Sequence, residues 1–284
     1  MSGIVTNARK RLFCFGLGYS AQALARTLQA DGWSVAGTTR TAESLAALRA
    51  AGWDDVVLFG RERSLADPGA ALAGTTHLLS SVPPDADGDP VLDLHAADIA
   101  AVSGLAWAGY LSTTGVYGDR QGGVVDERSE RNPASERGRR RVAAEDSWLS
   151  LWRDAGVPVH IFRLAGIYGP GRNALETVRQ GRARRIHRPD QVFGRIHVDD
   201  IVATLQASIA RPDPGTAYNL ADDEPAPPDA VIVHACELLG VEPPPLEQFD
   251  EVKDTLSAMA RSFYGESKRV SNLSLIHISE PTRL

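Results

Sequence analysis

The sequence predicts an α/β fold, a doubly wound parallel sheet with a small, partly discontinuous C-terminal lobe. Three observations carry this reading. Apolar runs of strand length alternate with helix-length segments over roughly the first 170 residues. The connections between them are short, and a parallel partner needs a crossover, so such alternation implies parallel pairing. After Tyr168 the alternation stops at the turn cluster Gly169-Pro170-Gly171.

Taken in order, strands are expected at residues 12–15, 34–37, 56–59, 77–81, 106–112 and 157–163. Helices are expected at 20–30, 42–51 and 136–155, the first rich in Ala and Leu. Right-handed crossovers then give a sheet with its ligand crevice at the strands' carboxyl ends. Beyond the turn cluster, a helix is expected at 201–210 and a strand at 217–220. Pro225, Pro227 and Pro228 open a further helix running to Leu239. The expected division is a sheet domain at 10–170, with 195–220 returning to it, and a lobe from 171–194 and 221–272. Residues 273–284 are read as a foreign tail, because LSLIHISEPTR resembles the translation of a sequencing-library adapter.

Composition narrows the class. The chain has 284 residues, 43% of them hydrophobic and 23% charged, with a formal net charge of −6. That acidic balance argues against a general nucleic-acid binder. No apolar run approaches the ~20 residues of a membrane span, and residues 1–11 lack the apolar stretch of a signal peptide. Cys14 and Cys236 fit neither a zinc spacing nor a disulfide framework, so a reducing cytoplasm is the expected setting.

The sharpest motif is Gly16-Leu17-Gly18-Tyr19-Ser20-Ala21, directly after the first strand and opening the first helix. In this G-x-G-x-x-A form the first Gly permits a tight turn and the second lets a pyrophosphate approach the backbone. The small third residue lets helix and strand pack closely. The helix N-terminus then offers free N–H groups to phosphate. A Rossmann-type dinucleotide site follows. Its second strand ends in Gly37-Thr38-Thr39-Arg40, with no acid for a ribose 2′-hydroxyl. Thr39 and Arg40 suit a 2′-phosphate, so NADP is expected over NAD.

Further motifs resemble the extended short-chain dehydrogenases/reductases, the NAD-dependent epimerase/dehydratase family. They are Leu111 to Asp119 (LSTTGVYGD), Arg163 to Arg172 (RLAGIYGPGR), Arg195 to Ile201 (RIHVDDI) and Tyr218-Asn219-Leu220. Ser81-Val82-Pro83-Pro84 is similar to a segment of atypical bacterial members and adds Ser81 and Val82 to the expected cofactor contacts. The resemblance implies that Thr113 helps polarise a substrate carbonyl or alcohol. It also implies a Tyr and a Lys one helical turn apart, but those positions are Arg137 and Arg141. A guanidinium stays protonated and makes a poor acid or base. Arg141 can still hold a ribose or phosphate, and Tyr117 is the nearest substitute acid or base in sequence. The Asp-Glu pair of sugar-nucleotide dehydratases is replaced by Thr114 and Gly115, which argues against water elimination.

The expected function is therefore an NADP-dependent oxidoreductase or epimerase acting on a carbonyl or secondary alcohol, such as that of a nucleotide sugar. The rival is a non-catalytic NADP(H) sensor that has lost the Tyr/Lys pair. No metal is expected: His197, Asp199 and Asp200 read as loop ordering and helix capping. His95 and Asp98 read as solvated, and Glu145 as a surface or inter-helix residue. The basic stretch Arg179, Arg182, Arg184, Arg185, His187 and Arg188 divides evenly between an anion site and an exposed helix end. Trp148 and Trp152 share a helix face, read as core or a dimer seam; a homodimer is implied by the resemblance only.

Overall fold

The computed structural model describes residues 10–273. In chain order come β1 (Arg11–Phe15), α1 (Tyr19–Ala30), β2 (Ser34–Thr39), α2 (Ala42–Ala50), β3 (Val56–Leu58), α3 (Pro68–Leu72), β4 (His77–Ser80), α4 (Pro90–Ala100) and β5 (Trp107–Thr113). A 3-10 turn (Thr114–Tyr117), β6 (Val124–Val125), α5 (Glu136–Ala155), β7 (Val159–Leu164) and β8 (Gly166–Tyr168) follow. The remainder is α6 (Ala174–Arg179), β9 (Arg185–His187), β10 (Arg195–His197), α7 (Val198–Ala210), β11 (Ala217–Leu220), α8 (Pro228–Leu239), β12 (Leu246–Gln248), α9 (Phe249–Val252), α10 (Ala258–Tyr264) and β13 (Arg269–Val270).

Seven strands form one sheet in the order β11-β7-β5-β4-β1-β2-β3. β1 pairs in parallel with β2 and β4, β2 with β3, and β4 with β5. Four of the five residues of β1 are buried, as expected for a strand covered on both faces. The chain runs outward from β1 to β3 on one side and resumes with β4 on the other. That reversal puts the switch point between β1 and β4, where doubly wound sheets hold ligands. β2 extends two residues past its expected end, because Thr38 and Thr39 pair with Val57 and Leu58 of β3.

The chain forms two compact units. The first comprises residues 10–112, 143–161 and 205–216. Its core includes Leu12, Phe13, Phe15, Leu78, Leu79, Ile99 and two fully buried indoles. Trp148 stacks on Tyr110 at 5.6 Å and donates to Asp89 Oδ2 at 3.0 Å. Trp107 donates to Ser208 Oγ at 3.0 Å. A buried indole N–H needs such a partner. Trp148 is thus a core residue. Trp152 packs against Gly215, where a Cβ would come within 2.3 Å of its ring.

The second unit comprises residues 113–142, 162–204 and 217–273. Val116, Tyr117 and Val125 form a core cluster against which Val142 and Val270 pack. Phe162 stacks on Tyr218 at 5.7 Å. Three two-stranded parallel pairs, β8 with β10, β9 with β12 and β6 with β13, fold the long connections onto this core.

Candidate active site

In the first unit the glycine turn is locked from two sides. Gly16 has φ +80°, and its N–H donates to Thr38 Oγ1 at 2.9 Å. Its carbonyl accepts from Ser81 Oγ at 2.6 Å. A Cβ on Gly16 would meet that hydroxyl at 2.8 Å, so both the backbone sign and the space demand glycine. Gly18 differs: a Cβ there would find nothing within 4 Å. The open space lies at the N-terminus of α1, a helix with no side-chain cap and no acid in its first turn. By contrast, α2, α3, α4 and α6 are capped by Thr41, Asp67, Asp89 and Asn173. An uncapped twelve-residue helix behind an open glycine has the shape and polarity a pyrophosphate requires.

The other expected cofactor residues surround this turn. Ala21 is fully buried and Ser20 nearly so, which gives the close helix–strand packing, while Tyr19 is half-buried. Thr39, Ser81 and Val82 are half-buried, and Arg40 is exposed just past the end of β2. From sequence Thr38 was offered, with Thr39, only as a hydroxyl beside Arg40, yet it is the residue that holds Gly16. Strand alternation was the available signal, since Thr38 and Thr39 point to opposite faces. Cys14 sits in the core, and burial pushes its thiol well above the ordinary range.

In the second unit Thr113 is half-buried and its Oγ1 accepts from Gly115 N at 3.1 Å, capping the 3-10 turn. The first turn of α5 lies against that turn: a Cβ on Gly138 would come within 3.0 Å of Gly115 O. This contact brings Arg137 and Arg141 onto the same unit as Thr113, with Arg137 exposed and Arg141 buried. Tyr117, the expected substitute acid or base, is 0% exposed. Its hydroxyl donates to Asn219 Oδ1 at 2.7 Å and accepts from Arg163 Nη1 at 2.8 Å. Burial raises its pKa. A hydroxyl closed in this way ties the core together.

A cavity of about 670 Å³ opens within the same unit. Its wall includes Tyr168, Arg172, Glu176, Arg182, Arg195 and Tyr264. Glu176 is neutralised by Arg179 at 2.8 Å, so the wall carries an excess of positive charge. Burial lowers the Arg195 pKa, and its Nη1 donates to the carbonyls of Phe193 and Ala226. The Tyr168 hydroxyl donates to Asp222, whose carboxyl is raised by burial; burial also raises Tyr168. A tyrosine hydroxyl backed by such a carboxyl can pass a proton. Neither Tyr168 nor Arg172 was singled out as a functional residue from sequence, though both lie in the RLAGIYGPGR segment.

Several expectations are corrected. His95 is not solvated: it is 1% exposed, its Nδ1 bonds Asp98 at 2.8 Å, and its Nε2 accepts from Leu65 N at 3.2 Å. Phe15 and Phe59 flank its ring, which a sequence window does not reveal. Glu145 is not at the surface: it is 0% exposed and accepts from Ser112 Oγ at 2.5 Å. His197 Nδ1 accepts from Asp199 N at 3.2 Å, which orders the start of α7. Among the described residues no group of three or more His, Cys, Asp or Glu can hold a metal ion. The basic stretch is divided. Arg184 pairs with Glu247 at 2.6 Å and Arg188 lies over the Phe249 ring, while Arg182 faces the cavity. The stretch 273–284, expected to be a foreign tail, lies outside the described residues except for Leu273. No helix among the described residues is long and apolar enough to cross a membrane.

Known proteins resemble the chain over most of its length. The chain is 31% identical over 248 residues to the protein YeeZ of Escherichia coli (strain K12), covering 83% of this chain and 86% of that protein. It is 46% identical to a functionally unknown conserved protein from Silicibacter pomeroyi, with TM-score 0.86 and coverage of 97% and 94%. The UDP-glucuronic acid 4-epimerase of Bacillus cereus, solved in complex with NAD, shares the fold at TM-score 0.73 and 14% identity, covering 96% and 94%. Residues 16–221 match the model of the family described as NAD dependent epimerase/dehydratase. That span runs from the locked glycine turn to the strand holding Asn219, and the chain belongs to the NAD dependent epimerase/dehydratase family.

Proposed function

We propose that the protein is an NADP-dependent oxidoreductase or epimerase acting in the cytoplasm on a carbonyl or secondary alcohol of an anionic small molecule, such as a nucleotide sugar. The observation that carries the reading is the open, uncapped N-terminus of α1 behind Gly18, braced by Thr38 and Ser81 through Gly16. Gly16, Gly18 and the α1 amides would hold the diphosphate, and Thr39 and Arg40 the adenosine side. When bound, the nicotinamide supplies the hydride donor or acceptor. Thr113 orients the reacting oxygen through its hydroxyl. The cationic cavity wall favours a negatively charged substrate.

Two measurements test this reading. Fluorescence titration should show NADPH binding more tightly than NADH, with the preference falling several-fold in Arg40→Ala. Absorbance at the nicotinamide band should then follow turnover across ketones, aldehydes and nucleotide sugars. Failure to bind either dinucleotide would remove the proposal. The second reading, a non-catalytic sensor, is favoured by the guanidiniums at Arg137 and Arg141. It predicts tight NADPH binding with no turnover, and activity appearing in the Arg137→Tyr, Arg141→Lys double variant would support lost catalysis.

A further inference from the structure

Gln191 lies between β9 and β10, and only half of its amide is matched. The residue is 3% exposed. Nε2 donates to two backbone carbonyls, Phe263 O at 3.0 Å and Glu266 O at 3.3 Å, which uses both of its hydrogens. Those carbonyls fix which way the amide faces, since a flip would set oxygen against oxygen. Oε1 is buried and accepts no hydrogen bond among the described residues. The adjoining residues are pinned: Val192 N donates to Ser267 Oγ at 3.1 Å, and that hydroxyl donates to Asp190 O at 3.0 Å. The orphan oxygen is therefore held in place. A buried acceptor without a donor costs stability and calls for a partner.

Gln191 stands in the wall of two cavities of this unit, the 670 Å³ one and a second of about 450 Å³. The smaller also has Asp190 and Asp229 on its wall, and a carboxylate is a stronger acceptor than an amide oxygen. On the larger, the other side-chain amides and the carboxylate are engaged. Asn173 Oδ1 accepts from Glu176 N, Gln180 Oε1 from Arg182 and Glu176 Oε1 from Arg179. We propose that Gln191 sets specificity in the 670 Å³ cavity, its Oε1 accepting a hydrogen bond from an O–H or N–H of the substrate. This deepens the proposed function and rests on its reading of that cavity as the substrate pocket. Because Oε1 is closed to water, the donor meets no solvent competitor there. An analogue without the donor leaves the acceptor orphaned and is rejected.

UDP-glucose serves as the probe, titrated by calorimetry into the full chain. Its deoxyfluoro analogues, one hydroxyl at a time, and its uracil N3-methyl analogue each remove one donor, which separates sugar from base as the source. One analogue should bind about tenfold weaker than UDP-glucose, and the others within about threefold. In Gln191→Met, which lacks the acceptor, that analogue and UDP-glucose should bind alike. In Gln191→Glu, which keeps an acceptor oxygen, the preference should persist. Both variants lose the Nε2 donors, so a merely structural role would make them behave alike. Circular dichroism melting checks that each is folded, and the analogue series on the parent decides the question where one is not. Absence of saturable binding, equal affinity across the series, or a preference that survives in Gln191→Met overturns the assignment. Failure of dinucleotide binding alone would sink the proposed function and leave the analogue series readable.

Discussion

The hydroxyl of Ser81 donates to the carbonyl of Gly16 at 2.6 Å, tying the end of β4 to the turn that follows β1. Sixty-five residues separate the two in sequence, and the bond sits at the switch point of the sheet. It holds the glycine turn at the position where a phosphate would meet the α1 amides.

Gly16→Ala and Gly18→Ala should therefore behave differently. At Gly16 a side chain meets positive φ and the Ser81 hydroxyl, for a cost of about 1–3 kcal/mol of stability. At Gly18 the backbone is extended and the space open, so stability should change by about 1 kcal/mol or less. Dinucleotide affinity should nevertheless fall about tenfold or more, because the methyl fills the approach. Urea denaturation and NADPH titration read the two effects separately.

His77 sets a pH dependence. Burial first, and then the Lys10 charge, push its pKa down from 6.5 to about 4. Between those values the unfolded chain binds a proton that the folded chain does not, so stability rises with pH there. The contribution is whole above about pH 6.5 and is lost as pH falls toward 4, worth up to about 3 kcal/mol. Denaturation at pH 7.5, 5.5 and 4.5 should show that decline, and His77→Gln should flatten it. An unchanged slope in the variant would rule His77 out as the source.

Tyr117→Phe should act on stability. The change strands the Asn219 carbonyl and an Arg163 N–H in the core, at a cost of about 1–3 kcal/mol. Dinucleotide affinity per folded molecule should stay within twofold. A selective loss of turnover with unchanged melting would instead give this hydroxyl a chemical role.

Tyr168→Phe should alter any turnover and its acid limb. The Tyr168 hydroxyl donates to Asp222 and lowers its pKa, opposing the upward push of burial. Removing the donor lets Asp222 rise further, so an acid limb governed by its ionisation should move to higher pH. Rate against pH for parent and variant measures the shift, and a limb moving to lower pH would contradict the pairing.

Much of the fold was legible because it depends on local patterns. α5 and β11 lie at their expected bounds, since a long helix and a short apolar strand announce themselves by periodicity and by their flanks. The glycine turn was equally plain, because its chemistry is written in six consecutive residues. The separate roles of Thr38 and Thr39 were not legible: the alternation of a strand leaves open which face meets the turn until β1 and β3 are both in place. His95 and Glu145 were misread for the same reason, as a polar residue on a helix reads as solvated unless its burying neighbours are known.

The amino-acid order alone thus determined the alternating architecture, the phosphate-type turn, the family motifs and the arginines at Arg137 and Arg141. Only the folded chain decided that Tyr117 is a core tie to Asn219, 102 residues away, and that Arg172 lines a cavity. The division follows from range. Backbone propensity and turn chemistry act over a few neighbours, whereas burial, charge proximity and hydrogen-bond closure depend on segments that meet only after the chain has folded.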